Sequence, residues 1–253
     1  MVTNLDPADA AVAAAGLSAR LDVATNMLLR TAAGLTDDEA RAASLLPGWS
    51  RGHVLTHIAR SADGLRNLLI WARSGVQTPQ YPSVQVRNAD IEAGSGRSVA
   101  ELASDLAESA DAFSTEAAGL HDTDWLAEVR GIRGAPHPAW FTLARRLTEV
   151  EVHHVDLAAG YGPADWPIEF VTEGLQRVAG DFDSAESPAA VLRTADTSEQ
   201  YRIGLGDAAP TLTITGPARE LLAWLLGRSA GAPLSVTGPA GEPAGQLPAL
   251  PAW

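Results

Sequence analysis

The sequence contains no cysteine in its 253 residues. This absence excludes disulfide bonds, thiolate metal ligands and a cysteine nucleophile, so any metal ion must be held by histidine and carboxylate side chains. Lysine is absent as well, because arginine accounts for all 18 basic residues. A Walker-type phosphate lysine and a Schiff-base lysine are therefore excluded.

Long hydrophobic runs are also missing. No stretch reaches the length of about 18 apolar residues that a membrane-spanning helix needs, and the N-terminus lacks the pattern of a signal peptide. We therefore expect a cytoplasmic protein that does not associate with a membrane. Positive charge is scarce, since 18 basic residues face 31 acidic ones and the formal net charge is −13. This balance argues against nucleic acid as a partner, and an anionic substrate would have to be held by local arginines.

The first part of the chain has the patterns of long helices. Apolar residues recur at helical spacing, and Thr36 with Glu39 and Ser98 with Glu101 have the spacing of capping boxes. We predict long helices over four ranges, which are 7–34, 51–74, 98–120 and 138–159. Residues 76–97 are expected to form a long connection, and a small hairpin is expected around 131–134.

The pattern changes after residue 160, where glycine and proline mark a boundary. We predict a helix, three short strands, a helix and a last strand, over 168–183, 190–194, 200–204, 211–215, 217–229 and 234–237. The tail over 238–253 is rich in proline and glycine and is expected to be irregular. The sequence thus predicts an α+β protein, with a helical bundle in residues 1–163 and a small α/β domain in residues 164–253.

The helix predicted over 138–159 carries the most informative residues. Arg146, Glu149, His153 and Asp156 are spaced by three or four positions, so they share one face of that helix. A row of ligand-type side chains in an otherwise apolar segment indicates a metal site on the inside of a helix bundle.

A zinc site with catalytic function needs three protein ligands and one open position. Glu149 and His153 supply two ligands, and either His53 or His57, one turn apart on the helix over 51–74, can supply the third. Other interpretations stay open: Glu149 could pair with a neighbouring arginine in solvent, and His154, which falls on the apolar side, could simply pack.

Several motifs of the chain resemble the mycothiol-dependent maleylpyruvate isomerases, which belong to the DinB-like helical superfamily. The similar segments are 46–59 (LPGWSRGHVLTHIA), 71–75 (WARSG), 78–81 (TPQY), 87–91 (RNADI), 149–156 (EVEVHHVD) and 223–228 (AWLLGR). The resemblance implies a zinc-bearing DinB-like bundle followed by a small domain similar to sterol-carrier folds.

The resemblance also implies roles for individual residues. It places the zinc ligands on His57, Glu149 and His153, and so favours His57 over His53. It places an essential arginine on Arg228, although a cation at that position could also serve only to stabilise the end of a helix. The motifs give less support to two further groups of site residues. Asp156 is expected to orient a ligand histidine or to bind the cofactor, and the cleft is expected to be lined by Tyr81, Arg87 and Asn67.

The chemistry that the resemblance implies is a cis–trans isomerisation of maleylpyruvate to fumarylpyruvate, a step in aromatic-compound catabolism. A thiolate that adds to the double bond allows rotation, and its elimination releases the trans isomer. Since the chain has no cysteine, the thiol must be a small molecule, either mycothiol or another thiol such as ergothioneine. A free thiol has a pKa near ~8.5, and coordination to zinc deprotonates it.

Two other functions use the same residues differently. An S-transferase of the same superfamily would consume the thiol instead of regenerating it, and a non-catalytic binding protein would need no metal. In each enzymatic case the partners are a small dicarboxylate or electrophile and a small thiol, and we expect a monomer or a small homo-oligomer.

Overall fold

The computed structural model describes residues 5–132, 134–206 and 209–251. The chain divides into two compact units, Met1–Gly160 and Tyr161–Trp253. The fold is mixed α+β, as predicted, with helices in the first unit and a small sheet with helices in the second. Within the described residues, no helix is long and apolar enough to cross a membrane.

The first unit is built from six α-helices in its described residues, and five of them begin at a residue whose side chain caps the helix. The helices are α1 (Pro7–Ala33), α2 (Asp37–Arg41), α3 (Arg51–Ser74), α4 (Val84–Gly94), α5 (Val99–Ala118) and α6 (Phe141–Asp156). Both predicted capping boxes are present: Thr36 with Glu39 opens α2, and Ser98 with Glu101 opens α5. These caps satisfy the backbone N–H groups that the first helical turn leaves without partners.

The core of this unit lies where α3 packs against α5 and α6, while α1 covers α5 and α6. The buried side of α3 carries fully enclosed leucine and isoleucine side chains, among them Leu55, Ile58 and Leu65. Burial of such side chains stabilises the bundle by about 1.5–3 kcal/mol each. The two helices that carry the predicted metal ligands, α3 and α6, are therefore held against each other by the core itself.

Two glycines bring α4 against α3. A Cβ atom on Gly52 would lie 2.2 Å from the carbonyl oxygen of Ser95, and one on Gly94 would lie 2.5 Å from Cγ2 of Thr56. Neither distance is possible for real atoms, so only glycine permits this approach of the two backbones. The contact sets the C-terminal end of α4 beside the first two turns of α3.

The expected long connection over 76–97 is wrong in its second half, because α4 occupies Val84–Gly94. Ser83 caps this helix through a hydrogen bond from the backbone N–H of Val86. Only Ile91 and Gly94 are buried, so α4 lacks the regular apolar spacing by which helices are recognised in a sequence. The predicted hairpin is present: β1 (Glu128–Val129) pairs antiparallel with β2 (His137–Pro138).

The second unit contains α7 (Ile168–Asp181), β3 (Ala190–Thr194), β4 (Gln200–Ile203), β5 (Leu212–Gly216), α8 (Ala218–Leu225) and β6 (Ser235–Thr237). The strand order is β4-β3-β5-β6, with β3 parallel to β5 and the outer pairs antiparallel. Helices α7 and α8 pack together, and α8 also contacts β3 and β5. The predicted elements of this part are confirmed in kind and order. In the tail, the described residues 238–251 form neither helix nor strand, and residues 252–253 lie outside the described part.

Candidate metal centre

One carboxylate and two imidazoles meet between α3 and α6. Nε2 of His57 lies 3.1 Å from Oε2 of Glu149 and 3.0 Å from Nε2 of His153, and the distance from Nε2 of His153 to Oε2 of Glu149 is 3.5 Å. The potential ligand atoms of these three residues all lie within 4.8 Å of one another. Glu149 and His153 lie close together because they are one helical turn apart on α6.

The donor set fits a metal ion that prefers nitrogen and oxygen ligands. Two imidazoles and one carboxylate form a three-ligand set of the kind that catalytic zinc sites use, with a fourth position left open. Oε2 of Glu149 is buried and has no hydrogen-bond partner, although it lies 3.1 Å from Nε2 of His57. A buried acceptor without a partner is costly, and a cation would satisfy it.

The ionisation states of these ligands suit a cation. Burial raises the pKa of Glu149, but the interaction with His57, 3.1 Å away, and the charges of His153 and Arg146 outweigh it and hold that pKa well below its usual range. Burial is also the main cause that lowers the pKa of His57, which favours the neutral imidazole that a metal ion needs. Both shifts favour the forms that bind a cation, an ionised carboxylate and a neutral imidazole.

Arg146 is a buried cation behind the cluster. Its side chain is 1% exposed and its Nη1 donates to the backbone carbonyl of Ile58 over 2.8 Å. Burial lowers the pKa of Arg146 to about 10, so it remains charged near neutral pH. Arg146 therefore stabilises the ionised form of Glu149 from inside the bundle.

Asp156 contacts one of the histidines directly. It is 1% exposed, and its Oδ2 lies 2.8 Å from Nδ1 of His153. A hydrogen bond from Nδ1–H to this carboxylate leaves the lone pair of Nε2 directed at the cluster. Asp156 therefore contacts a ligand histidine and takes no part in the three-residue cluster.

Arg87 and Tyr81 are brought to the same place by α4 and the turn that precedes it. Nη2 of Arg87 lies 3.1 Å from Nδ1 of His57, and its Cζ lies 5.8 Å from the centre of the Tyr81 ring. Burial, followed by the charge of Glu149, raises the pKa of Tyr81. Asn67 does something different: its Nδ2 lies 3.4 Å from the carbonyl oxygens of Pro79 and Gln80, so it fixes the turn before Tyr81.

The other two candidate histidines lie outside the cluster. The Nδ1 of His53 accepts from the backbone N–H of Ser50 over 3.2 Å, and its Nε2 lies 3.2 Å from Glu92, so it caps α3. His154 is 2% exposed, and its Nε2 lies 2.8 Å from Oγ1 of Thr31. This contact joins α6 to α1 and agrees with the interpretation that His154 packs.

Arg228 belongs to the second unit and follows the end of α8. Its backbone N–H donates to the carbonyl of Ala223 over 2.7 Å, and its Nη1 donates to the carbonyl of Leu226 over 2.6 Å. These are the contacts of a cation that caps the C-terminus of a helix. Its part in the chemistry stays a prediction.

Trp49 is a neighbour of the cluster that the sequence reasoning missed. Its ring meets the ring of His57 edge-on, with 5.5 Å between centroids, and stacks on His53 at 6.1 Å. The sequence contains a signal for this position, because Trp49 directly precedes the N-cap residue of the helix that carries His53 and His57. An aromatic side chain there forms one wall of the metal centre.

Comparisons with known proteins agree over both units. Residues 21–158 match the family model described as "Mycothiol maleylpyruvate isomerase N-terminal domain", and residues 165–245 match the "MDMPI C-terminal domain". A crystal structure of the mycothiol-dependent maleylpyruvate isomerase is 26% identical, with a TM-score of 0.85 over 95% of this chain and 97% of that one. A histidine-to-alanine mutant of that isomerase gives 25% identity, the same TM-score and the same coverage. No curated protein matches the chain.

Proposed function

The chain belongs to the mycothiol maleylpyruvate isomerase family, and from this premise we propose that it converts maleylpyruvate to fumarylpyruvate with the help of zinc and a low-molecular-weight thiol. It is a thiol-dependent isomerase by its similarity to the solved enzymes. The observation that carries the proposal is the convergence of His57, Glu149 and His153, because a protein without cysteine needs another means to activate a thiol.

We assign the zinc ligands to these three residues. When bound, zinc lowers the pKa of a thiol at its open position, so that a nucleophilic thiolate is available at neutral pH. Glu149 offers a charged oxygen, since its pKa is held low by the surrounding histidines and Arg146 against the effect of burial. Asp156 accepts the Nδ1 proton of His153 and so keeps the ring turned with Nε2 toward the cluster.

The remaining predicted residues are assigned to the substrate and the cofactor. Arg228 binds a carboxylate or the enolate oxygen that forms during the reaction, because a guanidinium matches such oxygens through two parallel hydrogen bonds. Tyr81 and Arg87 line the cleft beside His57, a placement supported by the 3.1 Å contact between Arg87 and that ring. Asn67 acts indirectly, because it holds the turn before Tyr81. The substrate is a small dicarboxylate, and the thiol is mycothiol or a related compound such as ergothioneine.

The proposal is tested by the loss of maleylpyruvate, with each candidate thiol in turn, before and after treatment with a chelator. We expect about one zinc ion per chain and turnover that needs both the metal and one thiol. Isomerisation that survives complete removal of metal would contradict the proposal. Protein that is isolated without metal and cannot be loaded would favour the non-catalytic binding function.

An S-transferase function is the second candidate, because the same metal-bound thiolate could attack an electrophile. The two activities differ in the fate of the thiol. An isomerase leaves its concentration unchanged over many turnovers, whereas a transferase consumes one thiol for each product. Titration of the free thiol during the reaction separates them.

A further inference from the structure

The face of α6 that carries Glu149 also carries a cation one turn earlier, at Arg145. We propose that Arg145 is a substrate-binding residue that takes one of the two carboxylate groups of the dicarboxylate, and that His137 positions its guanidinium for this contact. The inference rests on the proposed function and deepens it, because it adds a second cation for a substrate with two negative groups.

The position of Arg145 follows from its spacing on the helix. Residues four positions apart share a face, so the side chain of Arg145 lies on the side of α6 that bears Glu149. Burial lowers the pKa of Arg145, while the charge of Glu149 and the Tyr81 hydroxyl act in the opposite direction. A guanidinium keeps its charge under such shifts, so Arg145 is a half-buried cation beside the metal centre.

His137 holds the guanidinium from one side. It is 7% exposed, and its Nδ1 lies 3.0 Å from the backbone carbonyl of Pro138. Because a carbonyl only accepts, Nδ1 carries the proton and Nε2 presents a lone pair. That lone pair accepts a hydrogen bond from Nη1 of Arg145 over 3.2 Å. The ring of Phe141 meets the His137 ring edge-on, with 5.4 Å between centroids, so His137 is itself held in place.

The backbone at Gly131 lies directly against the guanidinium. A Cβ atom there would collide with Nη1 of Arg145, and it would lie 3.0 Å from Nη2 and 2.8 Å from Oε1 of Gln80. Gln80 is 7% exposed, and its Oε1 accepts from the backbone N–H of Ile132 over 2.9 Å. A buried side chain thus fixes the segment against which Arg145 packs, and glycine at position 131 leaves the space that the guanidinium occupies.

Arg145 has hydrogen-bond donors without partners. Among the described residues its one hydrogen bond is to His137, and no carboxylate forms an ion pair with it. The pair with Glu149 that the helical spacing allows is not formed, since Oε2 of Glu149 lies against His57 and His153 instead. Nε and Nη2 of Arg145 have no described partner, and neither nitrogen is enclosed by protein. These two nitrogens form the edge of a guanidinium that binds a carboxylate through two parallel hydrogen bonds.

The other arginines beside the cluster are less suited to this task. Arg146 is 1% exposed and donates to a backbone carbonyl, so it is closed to a ligand. Arg87 divides its donors between two neighbouring side chains. Because the chain carries a net charge of −13, a carboxylate that enters the site must be neutralised locally. Arg145 supplies that charge for one carboxylate, and Arg228 then serves the other carboxylate or the enolate oxygen.

Binding of maleate, a cis dicarboxylate, to the zinc-loaded protein tests the role of Arg145. We compare Arg145→Met with Arg73→Met, a matched control that also removes one positive charge, but from an ion pair with Glu116. Loss of charge-assisted hydrogen bonds should weaken maleate binding about 10- to 100-fold in Arg145→Met. Screening by salt should keep Arg73→Met within about 2-fold of the wild type. Equal maleate affinities of the two variants would overturn the proposal.

Steady-state kinetics with maleylpyruvate give a second measure of the contact. An interaction made equally in the ground state and the transition state acts on KM alone, so Arg145→Met should raise KM about 10-fold or more and keep kcat. Arg145→Lys keeps the charge without the planar fork, and its maleate affinity should lie between those of the wild type and Arg145→Met. An Arg145→Lys protein with wild-type affinity would contradict the two parallel hydrogen bonds, also where Arg145→Met does not fold.

The positioning role of His137 is tested with two substitutions. His137→Phe keeps a ring and removes the acceptor for Arg145, so KM for maleylpyruvate should rise about 2- to 10-fold at unchanged kcat. His137→Gln offers an amide oxygen as acceptor and should restore part of the affinity. Thermal unfolding of both variants measures packing separately. A His137→Phe protein that is less stable but has an unchanged KM would refute the positioning role.

The same measurements separate this inference from the proposed function. A wild-type protein that neither isomerises maleylpyruvate nor binds maleate refutes the proposed function and the inference together. A wild-type protein that does both, with Arg145→Met unchanged in maleate affinity and in KM, refutes the inference alone.

Discussion

Oδ2 of Asp156 lies 2.8 Å from Nδ1 of His153, which stands three residues earlier on the same helix. The contact fixes which nitrogen of His153 faces the other two members of the cluster. It also means that a single turn of α6 contains both a proposed ligand and the group that orients it. The effect of removing that group can therefore be tested without disturbing the packing of α3 against α6.

Asp156→Asn is expected to weaken zinc binding by about 10- to 100-fold, the usual cost of losing an outer partner of a ligand histidine. The amide can offer N–H to Nδ1, which would turn the ring proton toward the cluster. Zinc affinity measured by chelator competition gives the effect, and thermal unfolding of the metal-free variant shows whether the fold is kept. An unchanged affinity would mean that His153 is oriented by packing alone.

His57→Ala is expected to lose tight zinc binding and isomerisation while the bundle still folds, since two ligands hold a metal ion far less well than three. His53→Ala is the matched control, because His53 lies one turn away on the same helix but caps α3 and lies outside the cluster. Metal content and circular dichroism of both variants provide the measurement. A zinc-loaded and fully active His57→Ala protein would refute the ligand assignment.

Arg228→Ala is expected to keep its zinc and lose turnover, because its proposed partner is an oxygen of the substrate. Removal of a buried charge-assisted contact to a reacting oxygen commonly costs about 10²–10³ in kcat. The alternative, that Arg228 only ends a helix, predicts a loss of stability instead. Turnover and unfolding by urea, measured on the same sample, distinguish the two, and normal turnover would refute the substrate role.

Gly52→Ala is expected to destabilise the protein by about 1–3 kcal/mol, because the added Cβ would collide with the carbonyl of Ser95. Gly16→Ala is the control, since Gly16 lies inside α1 with nothing within 4 Å of its Cβ position. Alanine there should stabilise the helix by about 0.5–1 kcal/mol. Urea unfolding gives both values, and a neutral Gly52→Ala would show that α4 can move away without cost.

Local signals made the helices of the first unit predictable. A capping box such as Ser98 with Glu101 needs residues only three positions apart, and it lies where α5 begins. The helix α4 was missed because its burial comes from contact with α3, and a sequence does not show which glycines another backbone will approach. Ser83 was the one local signal for its start.

Part of the cluster was also predictable from residues that lie close together in the sequence. Glu149 and His153 lie on one helix, so their spacing alone brings them together. The third member comes from another helix, and His53 and His57 share a face of α3, so spacing could not separate them. The structure separates them by function: His53 is occupied by the cap at Ser50, and His57 meets the pair on α6. Arg87 reached the cluster through α4, which the sequence did not reveal.

The ligands proposed for zinc lie far apart in the chain, since His57 and His153 are separated by 96 positions. A metal ion shared by these two residues would act as a removable cross-link between α3 and α6, in a protein that has no cysteine for a permanent one. The metal ion would raise the free energy of unfolding by an amount that grows with the concentration of free metal. This increase reaches about 2.7 kcal/mol when that concentration is one hundred times the dissociation constant. The lifetime of the folded enzyme in the cell would then follow the availability of zinc, independently of any demand for catalysis.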